Sequence, residues 1–162
     1  MPRVFYVVRC DFPRPDLLEE WDHWYVGHID LLLTVPGFLG AQRFRAPEAP
    51  DGRPHLALYE LNSAEVMRSD EYERARGFGG WEAHVTRWTR DLVEAPDGAD
   101  SDFATPAGER LWAAFFAGAA PPDAARNIGL DQSFAAALWR RREFTGAAMF
   151  TPRTQFAKPR AA

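Results

Sequence analysis

His28 is the side chain whose type and surroundings best suit chemistry. It lies in the stretch DLLEEWDHWYVGHIDLLLTVPGF, residues 16–38, on an apolar stripe with the i, i+3, i+4, i+7 spacing of an amphipathic helix. An uncharged imidazole in an apolar pocket can move a proton to or from a carbon acid or an enol, because its pKa needs little adjustment. The alternative is a core histidine that donates a hydrogen bond to a carbonyl group.

Side chains on the same helix and on nearby strands are candidates for binding a substrate. Tyr25 lies about one helical turn before His28, close enough to orient its ring or to share a ligand. Asp22 lies nearly two turns before His28, and its alternative role is that of a solvated carboxylate. The other candidates suit a flat aromatic or anionic ligand, although each also fits core packing or a salt bridge: Tyr6, Trp21, Trp24, Arg43, Tyr59 and Trp88. The strand arginines have acidic strand residues as alternative partners: Arg9 and Arg43 with Asp11, Glu60 or Asp91.

We expect neither a metal site nor a cofactor. His23 and His28 are five residues apart, about 140° around a helix, unlike the i, i+4 pair of a zinc-binding helix. His55 and His84 have no adjacent ligands. A haem with His28 or His84 as axial ligand stays open, although the sequence has no attachment motif. Cys10 is the only cysteine, which excludes an internal disulfide, and no base or cationic cluster near it favours a nucleophile.

The elements that would position these side chains follow a β-α-β-β-α-β order. We predict a first helix capped by Asp16 and stopped by Pro36-Gly37, and a second opened by Asn62 and broken near Ser69. The predicted strands are Arg3–Asp11, Phe38–Arg45, His55–Leu61 and His84–Glu94. This order is the ferredoxin-like split pattern, an α+β fold.

The chain divides into a domain at residues 1–95 and a C-terminal part at residues 96–162. The division falls at the polar, small-residue linker DGADSDFATPAG. Beyond the linker, Glu109–Ala117 and Asp131–Arg142 are predicted as short helices of a C-terminal helical extension. Such an extension could cover the pocket, wrap a partner subunit or lie on the surface.

The predicted strands are apolar on both faces. Val4, Tyr6 and Val8 alternate with Phe5 and Val7 along the first strand. A sheet with helices on one face normally shows a polar second face to water. We therefore expect the second face to meet a second copy of the chain, in a homodimer that closes into a barrel.

Composition narrows the class of protein and its partners. The chain has 162 residues and is 46% hydrophobic, which is enough for a core in one domain plus an extension. A net charge of -4 disfavours a nucleic-acid-binding surface. Neither a membrane-spanning stretch nor a signal-peptide pattern is present, so the expectation is a cytoplasmic protein without a membrane partner.

The segment WDHWYVGHIDLLLTVPGFLGAQRFR resembles the dimeric α/β-barrel superfamily, closest to its EthD-like branch, over residues 3–95. The match consists of the aromatic helix with His28, the Pro36-Gly37 turn, the Arg43 strand and the YEL strand. This resemblance implies a cofactor-independent lyase or isomerase, of the cyclase or decarboxylase type, on a small hydrophobic aromatic or polyketide-like molecule. His28 would be the general acid/base and Tyr25 its orienter or a substrate donor. The alternatives are a cofactor-free monooxygenase of phenolic substrates and a non-catalytic homodimer that binds a small molecule or a partner.

Overall fold

A computed structural model describes residues 3–46, 49, 52–95, 104–116, 126–130, 135–140, 148–152 and 158–159. The helices of these ranges are α1 (Leu18–Leu32) and α2 (Asp70–Ala75), with short 3₁₀ helices at Pro15–Leu17, Ala64–Arg68 and Gly79–His84. The N-terminal strands are β1 (Arg3–Asp11), β2 (Phe38–Arg45), β3 (His55–Leu61) and β4 (Thr86–Ala95). The C-terminal strands are β5 (Leu111–Phe116), β6 (Arg126–Leu130), β7 (Ala135–Arg140) and β8 (Ala148–Pro152). No helix in the described residues is long and apolar enough to cross a membrane.

The four N-terminal strands form an antiparallel sheet in the order β4-β1-β3-β2. The β1–β3 register sets Tyr6 opposite Tyr59 on one face and Val7 opposite Leu58 on the other. We call the first the helix face, because α1 and α2 pack on it, and the opposite side the second face. The α+β class is confirmed, and the connection order is compatible with the ferredoxin-like pattern.

Helix α1 lays one stripe of side chains on the helix face. Its fully buried residues recur at intervals of three or four: Trp21, Tyr25, Ile29 and Leu32. The helix ends before the Pro36-Gly37 turn, as predicted. Gly37 has a φ of 100°, and a Cβ at this position would collide with Val66, so only glycine fits the turn.

The predicted cap of α1 is wrong. The N-cap position is Leu17, which makes no side-chain capping bond. Asp16 instead accepts hydrogen bonds from the Arg14 guanidinium at 3.0 and 2.7 Å. A charge-assisted, two-point bond to arginine is stronger than a bond to a backbone amide, so the carboxylate turns away from the helix start.

The predicted break near Ser69 is confirmed, and two serines separate the short helices. The Ser69 hydroxyl accepts from the Tyr72 amide at 3.2 Å and starts α2, which carries Tyr72 onto the helix face. The preceding 3₁₀ helix is capped by Ser63, not by the predicted Asn62. The backbone N–H of Asn62 donates to the Gly37 carbonyl at 2.9 Å, which holds Asn62 against the turn after α1.

The C-terminal part is not helical where the structure describes it. The predicted helices Glu109–Ala117 and Asp131–Arg142 coincide with β5 and β7, and only residues 117, 131–134 and 141–142 of them lie outside the described ranges. Short apolar runs fit a buried strand and a helix equally well by periodicity alone. Pairing decides here: β5 lies between β7 and β8, which complete its hydrogen bonds.

Candidate functional site

A small cavity lies between the helix face of the sheet and the two helices. Its volume is about 20 Å³, which is room for a single water molecule. The lining is aromatic with two basic side chains: Tyr6, Val8, Tyr25, His28, Leu32, Tyr59, Tyr72, Arg76, Gly77, Phe78 and Trp88. No carboxylate is among these described lining residues, so the cavity favours an uncharged or anionic ligand.

All four tyrosines of the chain meet at this cavity. Strands β1 and β3 supply Tyr6 and Tyr59 as direct cross-strand partners, with ring centroids 5.5 Å apart. The hydroxyl groups of Tyr72 and Tyr6 are hydrogen-bonded at 2.9 Å, and a second hydrogen bond links Tyr25 with Tyr59. Burial raises the pKa of Tyr6, Tyr25 and Tyr59 above the ordinary value, so these three hydroxyl groups stay protonated and can donate.

His28 contacts the cavity from α1. Its ring stacks on Trp24, with centroids 4.8 Å apart and an interplanar angle of 11°, and meets the edge of Tyr25 at 5.7 Å. The side chain is half-buried and makes no hydrogen bond to the residues that the structure describes. The carbonyl-bonded core histidine is therefore not what these residues show. Burial lowers the pKa of His28 to about 4, which keeps the imidazole uncharged at neutral pH.

Arg43 belongs to a structural cluster beside the cavity. One guanidinium nitrogen is ion-paired with Asp22, and another donates to Nδ1 of His55 at 3.2 Å. The guanidinium also lies 4.5 Å from the ring centroids of Trp21 and Tyr25. Because these contacts surround a side chain that is only 1% exposed, Arg43 fastens α1 to β2 and does not reach the cavity.

The other predicted binding residues take different positions around the site. Trp21 is fully buried and stacks on Phe12 at 4.2 Å, which is a packing role. Trp24 does not line the cavity, and it packs behind His28, Tyr25 and Phe78. Trp88 lines the cavity from β4 and is 41% exposed, so it forms part of the mouth.

Six of the eleven lining residues were not among the candidates from the sequence: Val8, Leu32, Tyr72, Arg76, Gly77 and Phe78. Phe78 closes the cavity under the edge of Trp88, with centroids 5.4 Å apart. It lies between Gly77 and Gly79, both at positive φ, which gives this segment backbone conformations that other residues rarely adopt. The glycines on both sides of Phe78 in GFGGW are a sequence signal that could have identified this segment. Tyr72 is the one tyrosine of the chain that was not a candidate, so it could have been added to the other three.

Metal and thiol chemistry find little support in the described residues. These residues contain no group of three or more His, Cys, Asp or Glu side chains that could hold a metal ion. Burial raises the pKa of the Cys10 thiol to about 12, so the reactive thiolate is essentially absent at neutral pH.

No family model, curated protein or solved structure matches the chain. The resemblance to the EthD-like branch therefore stays a prediction, and function is argued from the geometry of the cavity.

Proposed function

We propose that the protein is a cofactor-independent isomerase or lyase that acts on a small aromatic or polyketide-like molecule by enolisation. The observation that carries this proposal is the meeting of all four tyrosines and one uncharged imidazole at a single cavity. The tyrosines supply hydrogen-bond donors for an oxygen, and the imidazole supplies a base for a carbon-bound proton. These are the two groups that enolisation of a ketone needs.

His28 acts as the base and the tyrosines stabilise the product of its action. The unprotonated imidazole nitrogen takes a proton from the carbon next to a carbonyl group, and the electrons of the C–H bond move into an enolate. Protonated tyrosine hydroxyl groups donate hydrogen bonds to the enolate oxygen as it gains charge. In an isomerisation, His28 returns the proton to a different carbon. In a cyclisation, the enolate carbon forms a bond to a second carbonyl carbon of the substrate, and the new alkoxide takes the proton from His28. In a decarboxylation, the bond to the carboxylate carbon breaks, carbon dioxide leaves its bonding electrons in the enolate, and water supplies the proton that the enolate carbon takes up.

Tyr25 links these two parts of the site. Its ring edge packs against His28, and its hydroxyl group is bonded to Tyr59. It orients the imidazole and also belongs to the donor network.

A substrate reaches His28 only if the mouth widens, because the cavity has room for one water molecule. Phe78 and Trp88 are the side chains that close it, and the glycines on both sides of Phe78 give the backbone freedom to move. Arg76 is exposed at the same mouth, ion-paired with Glu73 at 3.0 Å. Its charge favours an approaching enolate, phenolate or carboxylate.

Deuterium exchange tests the proposal with a general probe in place of the natural substrate. The protein is incubated in deuterium oxide with α-tetralone, an aromatic ketone with an enolisable methylene group, and exchange is followed by proton NMR. We expect wild-type protein to accelerate exchange, and His28→Gln to lose about 10²- to 10⁴-fold of this acceleration. His23→Gln is the matched control, because His23 is exposed on the same helix. Exchange at the buffer rate, or equal rates for wild type and His28→Gln, would contradict the proposal.

Two other functions use the same cavity. A cofactor-free monooxygenase of phenolic substrates is favoured by the aromatic lining, and it would consume dioxygen when a phenol is added. A non-catalytic small-molecule-binding protein is favoured by the same lining, which suits a flat ligand, and it would bind α-tetralone without exchange. An oxygen electrode and the exchange experiment together separate the three functions.

The homodimeric barrel predicted from the sequence also stays a prediction. Its premise was a second face of the sheet that needs an external partner. In the structure, this face is already buried within one chain: Phe5, Val7, Leu56 and Leu58 are each 0% exposed.

A further inference from the structure

The second face of the sheet is covered by the chain that carries it. Phe5, Val7, Leu58 and Phe44 point away from the helices and are completely buried in a single chain. Leu111, at the start of β5, is equally buried. A four-stranded sheet with helices on one side does not bury its other side without a second layer. Among the described residues of the C-terminal part, Thr105 and Leu111 are buried together with this face.

A polar clamp fastens this cover to the sheet. The Gln42 side chain donates to the Thr105 carbonyl at 2.7 Å and accepts from the Thr105 amide at 2.9 Å. An amide side chain thereby completes both hydrogen bonds of one backbone residue, as a neighbouring strand would. Both residues are buried, at 0% and 3% exposure, so the pairing excludes water.

The C-terminal strands also pair with both edges of the four-stranded sheet. Strand β6 pairs with β4, where Glu94 lies opposite Arg126, and β8 pairs with β2, where Arg45 lies opposite Thr151. The full order is β6-β4-β1-β3-β2-β8-β5-β7, and the two end strands, β6 and β7, contact each other. The face and both edges that a second subunit would use are therefore occupied.

We infer that the described strands β5 to β8, with the Thr105 segment, take within one chain the place of a second subunit, so that the protein is a monomer with an internally closed sheet. This cover is a permanent partner of the second face and not a lid of the tyrosine cavity, which opens on the other side of the sheet. The occupant of the apolar face is thus a segment of this chain. No further copy is needed to bury it.

The first test is the mass of the full-length protein in solution. We expect 18.3 kDa by sedimentation equilibrium, unchanged over a wide range of protein concentration. A stable species of twice this mass would contradict a monomer.

A disulfide trap tests whether the pairing is within one chain. Paired residues of antiparallel strands have Cα atoms about 4.5–5.5 Å apart, which suits a disulfide. Glu94→Cys combined with Arg126→Cys should therefore oxidise to an intrachain disulfide, seen as a faster monomer band on a non-reducing gel. Glu94→Cys with Leu130→Cys is the matched control, because Leu130 pairs with Asp91. A disulfide-linked dimer from the first pair would show that the strands are exchanged between chains.

A third variant opens the cover without removing it. Gln42→Glu replaces the side-chain NH₂ group that donates to the Thr105 carbonyl by a carboxylate oxygen. The carboxylate repels the carbonyl oxygen, and its charge is buried without a hydrogen-bond donor in that position. We expect this variant to expose the second face and to self-associate at concentrations where wild type is monomeric. Asn62→Asp, the same type of change at an exposed residue, is the control. A Gln42→Glu protein that stays folded and monomeric would mean that the clamp does not hold the cover.

Discussion

The two faces of the four-stranded sheet are built by alternate residues of the same strands, yet only the helix face borders the described cavity. On the second face, Val7 and Leu58 are each 0% exposed, and the buried ion pair between Arg9 and Asp91 spans 4.0 Å. On the helix face, the next residues along the strands, Tyr6 and Tyr59, border a cavity. One face is closed by packing and the other keeps a space lined with hydroxyl groups.

The difference shows where chemistry can occur. Two polar pairs of the second face hold each other in position: Arg9 with Asp91, and Gln42 with Thr105. On the helix face, the tyrosines are bonded chiefly to one another, and His28 has no hydrogen-bond partner among the described residues. Hydroxyl groups that are bonded to one another beside a cavity can turn towards a ligand. Both faces therefore contribute to stability, and the helix face carries the cavity at which we propose that a ligand binds.

Removing the ion pair of the second face should have the largest effect on stability. Asp91→Ala leaves Arg9 buried without its carboxylate, and we expect the free energy of unfolding to fall by about 3–5 kcal/mol in urea denaturation. Glu60→Ala is the control, because its pair with Arg3 at 3.1 Å is partly exposed and contributes about 0–1 kcal/mol. Equal losses in the two variants would show that burial does not decide how much an ion pair of the second face contributes.

Phe78→Ala should open the cavity and sharpen the comparison. We expect a loss of about 3 kcal/mol in unfolding free energy, since a buried aromatic ring is removed, together with tighter binding of a phenol such as 2-naphthol. Phe12→Ala is the matched control: Phe12 is also buried, but it stacks on Trp21 outside the cavity. Calorimetric titration should show the gain in affinity for Phe78→Ala alone. A gain in both variants would mean that general loosening explains it.

His28 should make stability depend on pH. Its pKa in the folded chain, about 4, is below its unfolded value of about 6.5, so the unfolded state binds the proton more tightly. The contribution is complete above pH 6.5, is lost as pH falls from about 6.5 to 4, and levels off below that. Because the ring is only half-buried, we expect the contribution of His28 to the free energy of unfolding to change by about 2 kcal/mol over this pH range. The difference between wild type and His28→Gln, measured by denaturation across this range, should have this slope. A difference that is flat with pH would place His28 in solvent.

Tyr72→Phe should have the smallest effect on stability. It removes the hydroxyl group that is bonded to Tyr6 and keeps the ring that stacks with Phe38, so the unfolding free energy should fall by about 1 kcal/mol. Binding of 2-naphthol should weaken, because one member of the donor network is lost. Unchanged affinity would show that the Tyr6–Tyr72 pair does not take part in binding.

Much of the N-terminal fold follows from local patterns in the sequence. The alternation of Val4, Tyr6 and Val8 defines a strand, Pro36-Gly37 stops a helix, and Ser69 starts one. The C-terminal strands could not be predicted from the sequence, because LWAAFF and AAALWR fit a helix as well as a strand until the strands that pair with them are known. The second copy stays a prediction, because an apolar face shows that it needs a cover but not which segment covers it.

The candidate site was partly predictable. His28 and Tyr25 share a helical stripe, and Tyr6 and Tyr59 lie on strands that alternation assigns to one face. Arg43 could not be separated from the cavity without knowing that Asp22 and His55 would surround it. Phe78 lies in a segment between two glycines, where neither the two-residue periodicity of a strand nor the 3.6-residue periodicity of a helix can predict which way a side chain points.

An NMR titration tests the assignment of the two faces most directly. The pKa of the His28 ring, identified by comparison with His28→Gln, should be about 4, and 2-naphthol should shift signals of His28 and Tyr25 but not the methyl groups of Val7 and Leu58. This result would place an enclosed, uncharged base at a ligand-binding cavity on the helix face alone. A His28 pKa near 6.5, or ligand-induced shifts confined to the second face, would contradict the account.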